Sequence, residues 1–135
     1  MRVYSVLLVI LTSLLLGGCG EREAPVSNDR LLEAFKDLRT GFWVSGEAPV
    51  SQLLGDEQIG GAHQRFVVRP NEEIAVTIYH SLSESARVPV ERGDVVRFRG
   101  RYDWEARGGI VSLTHSDPDQ PGGGGWIEHK GKRYD

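Results

Sequence analysis

The stretch Val95-Val96-Arg97-Phe98-Arg99-Gly100-Arg101-Tyr102-Asp103-Trp104 carries the clearest structural signal in the chain. Large apolar side chains alternate along it with charged ones, and a period of two is typical of a β-strand with one buried face. The face predicted to enter the core carries Val96, Phe98, Tyr102 and Trp104. The opposite face carries Arg97, Arg99, Arg101 and Asp103.

Segments on both sides of this strand show the same period, and glycine and proline separate them as turns do. The stretch 42–54 contains Gly46 and Pro49, so we expect it to be bent or bulged. Gly55-Asp56 and Gly60-Gly61 would flank the next turn, and Gly108-Gly109 would form a hairpin turn. The other predicted strands are 63–69, 73–82 and 110–115, with 126–134 as a short strand or docked arm.

One amphipathic helix is predicted before the strands, over residues 28–40. Asn28 or Asp29 can cap its start, and Gly41 stands where a helix stop is expected. The apolar stripe at helical spacing is Leu31, Leu32, Phe35 and Leu38. The sequence therefore predicts a mainly β fold, a small OB-like barrel of five to six strands over 41–135, preceded by this short helix. A small sandwich is the alternative.

The N-terminus has the pattern of an export signal. Arg2 is the only charge in 1–18, and the residues from Val3 to Leu16 are mostly Val, Leu and Ile, in a run shorter than a membrane span. Leu16-Gly17-Gly18-Cys19 resembles the lipobox of bacterial lipoproteins, which implies cleavage before Cys19 and acylation of its thiol. Residues 19–27 are interpreted as the lipidated cysteine and a polar tether. An ordinary signal peptide with a stray thiol is the alternative.

Acylated Cys19 makes membrane lipid the first expected partner. Two or three acyl chains hold a protein stably at a bilayer, because each buried methylene contributes about 0.8 kcal/mol. Gly20 follows the cysteine in place of the aspartate that retains lipoproteins at the inner membrane under the enterobacterial sorting rule. We therefore expect placement at the outer membrane, facing the periplasm. Cys19 is also the only cysteine, so no internal disulfide can form.

The charge balance argues against a general polyanion binder such as a nucleic-acid protein. The chain carries 16 basic and 19 acidic residues, and removal of 1–18 would leave 15 basic residues. Arg97, Arg99 and Arg101 nevertheless form a candidate basic binding face of the kind that OB-type barrels use for oligonucleotides or oligosaccharides. A solvated face paired with nearby acids is the alternative. Four large aromatic residues late in the domain are interpreted as core and lid packing: Tyr102, Trp104, Trp126 and Tyr134. Stacking on a sugar ring is the alternative, which no local pair of acids supports.

The histidines form the second candidate site. His80 lies on the inward face of its strand with Ile74, Val76 and Ile78, and His63 and His115 lie at strand ends, where a small barrel opens. With Asp117 they form a candidate metal or ligand cluster, since imidazole and carboxylate bind zinc-like ions. A set of hydrogen-bonded structural histidines is the alternative. No cofactor is expected, and a divalent metal is the exception that this cluster would allow.

A string of motifs in the second half is similar to a proteobacterial family of small exported proteins known as a domain of unknown function. The string runs from His63-Gln64-Arg65-Phe66 through the 93–104 stretch to Gly125-Trp126-Ile127-Glu128-His129-Lys130-Gly131. The family's hallmark is His-Trp-Thr-His before Asp-Pro. Here the hallmark is Ser112-Leu113-Thr114-His115, so its first histidine and its tryptophan are missing. The resemblance implies no activity, cofactor or partner.

Two functions follow from these observations. The first is an outer-membrane-anchored lipoprotein, not an enzyme, whose OB-like domain binds a ligand, either an envelope protein or a polymer. The second is a metal-dependent hydrolase, for example of phosphodiesters, that uses His63, His80, His115 and Asp117. The depleted histidine set favours the first.

Overall fold

The computed structural model describes residues 26–135. The predicted signal peptide 1–18, Cys19 and most of the predicted tether 19–27 lie outside these residues. One helix precedes seven strands: α1 (Asp29–Lys36), β1 (Phe42–Gln58), β2 (Ala62–Val68), β3 (Val76–Ser81), β4 (Val95–Asp103), β5 (Ile110–Ser112), β6 (Trp126–His129) and β7 (Lys132–Tyr134). A 3-10 turn at Pro121–Gly123 separates β5 from β6. No helix in the described part is long and apolar enough to cross a bilayer.

Five of the strands form a closed ring. β1 pairs with β2, β2 with β3, β3 with β5 and β5 with β4, and β4 pairs back with β1. Only the pairing of β3 with β5 is parallel. The ring closes because β1 is long: its first half, from Phe42 to Pro49, pairs with β4, and its second half, from Val50, pairs with β2. The prediction of a mainly β fold after one short helix is confirmed.

Two further strands extend the sheet outside the ring. The segment 126–134, predicted as one strand or arm, turns back at Lys130 and Gly131, which both take positive φ. The result is the hairpin of β6 and β7. β6 pairs with the first half of β4, while β5 pairs with the second half. This hairpin raises the strand number to seven, above the five or six that were expected.

The alternation predicted for β4 is confirmed along the strand itself. Val96, Phe98 and Tyr102 are fully buried, whereas the three arginines between and beside them point outwards. The strand ends at Asp103, so the prediction that Trp104 enters the core is wrong. Trp104 stacks on Phe35 of α1 instead, with ring centroids 6.5 Å apart, and 38% of it is exposed.

β1 is longer and bent at other positions than the sequence suggested. It continues to Gln58, so Gly55-Asp56 lies inside the strand and the turn is confined to 59–61. The irregularities in its pairing with β2 fall between Val50 and Gln52 and between Leu54 and Glu57, not at Gly46 or Pro49. β5 is shorter than predicted and stops at Ser112, because Leu113 takes a φ of 54° that no strand continues through.

The helix ends earlier than 28–40 implies. Leu38 takes a left-handed φ of 55°, and the Arg39 N–H donates to the carbonyl of Ala34 across it, which closes the helix before Gly41. Leu38 is 66% exposed, so it does not join Leu31 in the core. Asn28 does not cap the helix with its side chain. Its amide bonds instead to both backbone groups of Glu47 in β1, at 2.8 and 2.9 Å.

The ring encloses one apolar core. Gln64 is buried inside it, and its amide bonds to the N–H and carbonyl of Val88, at 2.9 and 2.7 Å. This clamp draws the connection between β3 and β4 onto the ring. The buried apolar residues are Leu31, Ala34, Val44, Ala48, Val50, Phe66, Val68, Ile74, Val76, Ile78, Val88, Val90, Val96, Phe98, Tyr102, Val111, Ile127 and Tyr134.

The segment leading into β5 closes the ring by passing very close to its neighbours. Gly109 is so near Tyr102, and Gly108 so near the backbone of Ala75, that a Cβ at either position would overlap them. The Tyr102 hydroxyl donates to the Gly108 carbonyl at 2.7 Å, and the Thr77 N–H donates to the Gly109 carbonyl at 3.0 Å. Burial raises the pKa of Tyr102 to about 12, so this donor keeps its proton at neutral pH.

Gly109→Ala should therefore destabilise the protein more than the same change at a glycine in open space. Gly131 is the matched control, because it also has positive φ but nothing lies within 4 Å of an added Cβ. Gly131→Ala is expected to cost about 1–2 kcal/mol from backbone strain alone. Gly109→Ala should cost about 1–3 kcal/mol more, from overpacking against Tyr102. Urea unfolding of the two variants would measure the difference, and equal losses would contradict a tight crossing at Gly109.

Candidate ligand-binding groove

The predicted basic face lies on the outer wall of the ring. Arg97, Arg99 and Arg101 alternate with buried residues of β4 and point away from the core. β4 is paired along both edges, with β1 on one side and with β6 and β5 on the other. The outer face of this strand is therefore part of a continuous wall. Its role as a binding face stays a prediction.

Acidic neighbours offset two of the three arginines. Glu128 of β6 lies opposite Arg97, and its Oε1 forms an ion pair with the Arg97 guanidinium at 3.2 Å. Its Oε2 forms a second ion pair, with Arg133 of β7, at 3.1 Å. Arg101 lies 3.7 Å from a carboxylate oxygen of Asp103, and its side chain is 46% exposed. Positive charge is therefore not continuous along β4.

Arg99 holds the loop 117–125 against the wall; this loop contains four successive glycines and is called the glycine-rich loop, or glycine loop. Its Nε donates to the carbonyl of Gly124 at 3.0 Å and its Nη2 donates to that of Pro121 at 2.9 Å. Gly122 and Gly123 both take positive φ within this loop, a conformation that glycine adopts without a Cβ penalty. The loop is thus fixed by one guanidinium in a position next to β4.

Two tryptophans lie beside Arg99 on the same outer face. In the strand register Arg99 is opposite Trp126 on one side and Ser45 on the other, and Trp43 is the next residue of β1 on the face of Ser45. The Arg99 guanidinium lies 5.1 Å from the centroid of Trp43, and that of Arg133 lies 4.4 Å from the centroid of Trp126. The prediction that Trp126 packs in the core is wrong, because Trp126 is only partly buried and Ile127 is the neighbour that enters the core.

These side chains form the walls of a groove of about 830 Å³. The groove runs from the start of the helix, across β1 and β4, to the glycine loop and the C-terminal hairpin. Its walls are formed by Arg30, Trp43, Arg99, Trp126, Arg133 and the loop Gly122–Gly125. Trp43 was not among the predicted site residues, although the period of two in 42–54 puts its side chain on the strand face opposite to that of Val44. What could not be foreseen is that β6 would bring Trp126 to the same wall.

His80 lies inside the ring, as predicted from its place beside Ile78, and it is fully buried. Its Nε2–H donates to the carbonyl of Ala86 at 3.0 Å, so its Nδ1 accepts from the hydroxyl of Thr114 at 2.7 Å. Burial is the main cause that lowers the pKa of His80, and nearby His115 and His63 lower it further. The imidazole of His80 is therefore neutral at pH 7, and both of its nitrogens are in hydrogen bonds.

The other two predicted histidines have different surroundings. His63 lies on the outer face of β2 with Arg65, and its Nδ1 donates to the carbonyl of Gly61 at 2.9 Å. His63 also packs edge-on against Tyr79. His115 follows the end of β5, and its Nδ1 is buried without a hydrogen-bond partner. His63 and His80 thus occupy opposite faces of the ring wall.

Asp117 is used within the glycine-rich loop. Its Oδ1 accepts from the N–H of Asp119 at 3.0 Å, and its own N–H donates to the carbonyl of Gly123. Across residues 26–135, no three side chains of the His, Cys, Asp and Glu type are grouped as a metal ion would require. The metal or ligand cluster of His63, His80, His115 and Asp117 therefore stays a prediction without such a grouping behind it.

The fourth histidine makes a polar contact that sequence analysis did not consider. His129 of β6 is 4% exposed, and its Nε2 lies 2.7 Å from the Oδ2 of Asp94. The hydrogen bond from His129 is the main cause that holds the pKa of Asp94 below its usual range, and a bond from the Glu91 N–H adds to it. This pair ties β6 to the turn before β4 and so helps to position Trp126.

Comparison with known proteins places the chain in a family. It belongs to the family described as protein of unknown function (DUF3465), which it matches over residues 14–135. Membership of a family with a domain of unknown function is thereby confirmed, and the proteobacterial origin and the His-Trp-Thr-His hallmark stay predictions. No curated protein and no solved structure matches the chain.

The burial of His80 predicts a loss of stability in mild acid. Its folded-state pKa lies below the ordinary value of 6.5, so the unfolded chain takes up the proton first as the pH falls. The contribution of His80 to the free energy of unfolding should be fully present above about pH 7. Below pH 6.5 it should fall by up to about 1.4 kcal/mol per pH unit.

Urea unfolding of wild type and His80→Gln at about pH 7.5 and about pH 5.5 would measure this contribution. The variant should lose less stability than wild type between the two pH values, whatever its stability at the higher one. Equal losses in both proteins would show that His80 is not the group responsible.

Proposed function

We propose that this DUF3465 protein is a lipid-anchored protein of the outer membrane, facing the periplasm, whose domain binds a ligand in the outer-wall groove without reacting with it. The observation that carries the proposal is the meeting of Trp43, Arg99 and Trp126 on one face of the wall. Binding sites combine flat aromatic surface with a few fixed polar groups, and this face offers both.

The anchor and the groove are compatible in space. Val26 and Ser27, where the predicted tether ends, line one end of the groove. The seven residue-to-residue steps from Cys19 to Val26 can extend over at most about 25 Å. An acylated Cys19 would therefore keep the groove close to the membrane surface, within reach of polymers and proteins of the envelope.

We further propose that the ring is an OB-like barrel. Five strands closed by one long, bent strand support this assignment. OB folds commonly bind oligonucleotides or oligosaccharides over strands 2 and 3 and the adjoining loops. The groove here lies instead over β1, β4 and β6, where the C-terminal hairpin adds a wall that the five-stranded ring does not provide.

Binding fits the polar contacts better than hydrolysis does. In His80 both ring nitrogens are engaged, and in Asp117 one carboxylate oxygen accepts a hydrogen bond within its own loop. A general base or metal ligand needs an uncommitted atom that can reach the substrate. His63 has its Nε2 available, but it lies on the opposite face of the ring wall from His80. The Nδ1 of His115 has no partner, but it is buried, and no three His, Cys, Asp or Glu side chains within residues 26–135 are grouped as a metal ion would require.

The anchor predicts that Cys19→Ala abolishes acylation. Cells grown with labelled palmitate should incorporate label into the wild-type protein and into Gly20→Ala, the matched control, but not into Cys19→Ala. Density-gradient separation should place the wild-type protein in the outer-membrane fraction. An unlabelled wild-type protein, or label that persists in Cys19→Ala, would contradict the anchor.

The groove predicts a tryptophan fluorescence response to ligand. The chain has three tryptophans, and Trp104 lies apart from the groove against Phe35. Glycan strands solubilised from bacterial cell walls should change the emission of the full-length protein in neutral detergent in a saturable way. Trp43→Ala and Trp126→Ala should each weaken binding by about 1–3 kcal/mol, the range for loss of a stacking partner.

Trp104→Phe is the control, and it should retain both affinity and response. Chromatography of the glycan before and after incubation should show no change in chain length. Absence of saturable binding would contradict the proposal, as would a response that depends on Trp104 alone. Shortened glycan chains would favour a hydrolase.

A further inference from the structure

The groove carries a local positive charge in an acidic protein. Arg30, Arg99 and Arg133 line it, and Asp135 is the acidic residue among the described residues that line it. Glu128 beside the groove pairs with Arg133, so Arg30 and Arg99 carry most of the positive charge, whereas the whole chain has a formal net charge of −3. Several like charges in a concave site raise the local concentration of ligands of opposite charge. The groove is thus suited to an anion, although the protein as a whole is not.

The arginines are arranged to offer hydrogen bonds beside flat surfaces. The guanidinium of Arg99 lies over the ring of Trp43, and that of Arg133 lies over the ring of Trp126. Arg99 uses its Nε and Nη2 to hold the loop carbonyls, so its Nη1 is the nitrogen left to donate to an anionic group. The Arg30 Nε bonds to the Trp43 carbonyl at 2.9 Å, which holds a third guanidinium at the same tryptophan.

Outside the groove the positive charge does not continue. Arg97 shares Glu128 with Arg133, and Arg101 lies beside Asp103. A protein that tracks a nucleic-acid strand needs a longer run of cations, because it neutralises phosphates in succession. The short cationic patch and its two indoles fit a ligand with a few charges spaced along apolar ring faces.

From these contacts we infer that the groove binds an acidic oligosaccharide, a short sugar chain that carries carboxylate or phosphate groups. Sugar rings present flat C–H faces to Trp43 and Trp126, and the anionic groups accept hydrogen bonds from Arg30 and Arg99. This inference rests on the proposed binding function and specifies its ligand.

Matched pairs of ligands test the charge requirement. The full-length protein in neutral detergent is titrated with hexagalacturonate and its methyl ester, and with phosphorylated maltohexaose and maltohexaose. The tryptophan emission reports binding. At least one anionic ligand should bind about tenfold or more tightly than its neutral partner, and about 0.5 M NaCl should reduce that preference. The pair that shows the preference tells carboxylate from phosphate.

Variants then assign the preference to residues. Arg99→Gln and Arg30→Gln should each lower affinity for the preferred anion by about tenfold and leave the neutral partner unchanged. Arg30→Gln is included because Arg99 also holds the glycine loop, so loss of Arg99 can disturb the wall itself. Arg101→Gln is the matched control, since it removes a cation of the same strand that lies outside the groove.

The outcomes separate this inference from the proposed function. Equal affinity for the charged and the neutral ligand of each pair would overturn the inference. It would also be overturned if Arg30→Gln and Arg99→Gln bound the anion with the affinity of the wild type. Either result would leave the groove as a binding site. Tighter binding of a thymidine hexanucleotide than of either acidic sugar would overturn it in favour of nucleic acid. Binding of cell-wall glycans but of neither acidic sugar would overturn the inference alone, and no binding of any ligand would overturn both.

Discussion

The closed ring of five strands depends on one close crossing of the chain. At Gly108 and Gly109 the chain passes between the phenol side chain of Tyr102 and the backbone of Ala75. Only glycine fits there, and the Tyr102 hydroxyl holds the crossing with a hydrogen bond to the Gly108 carbonyl. Because β5 starts at this point, it can lie parallel to β3 and join it to β4. With that join the sheet closes, and Tyr102 becomes part of a core shared by all five strands.

Closure fixes the register of the outer wall and so brings the groove residues together. β4 is held by β1 on one edge and by β5 and β6 on the other, which sets Arg99 between Ser45 and Trp126. Glu128 enters from the same hairpin and offsets Arg97 and Arg133. The wall therefore combines two indoles with a confined cationic patch, and the proposed ligand binding rests on that combination.

The same closure determines what the histidines can do. Buried polar groups must find partners, and within the ring His80 finds them in Thr114 and Ala86. His129 finds Asp94, which ties the hairpin to the ring. These bonds stabilise the domain and engage both nitrogens of His80, whereas the Nδ1 of His115 is buried without a partner. The proposal of ligand binding therefore rests on the groove and not on the histidines.

Local pattern was enough for part of this description. Alternation alone identified β4, its arginine face and the inward position of His80, since the direction of a strand side chain depends only on its parity. Alternation could not predict the positions of Trp104 and Trp126 or the end of the helix. These depend on where a strand or helix stops and on which strand it pairs with. The sequence by itself determined the strands and their faces, while tertiary structure decided the groove, because Trp43, Arg99 and Trp126 meet only through pairings between distant segments.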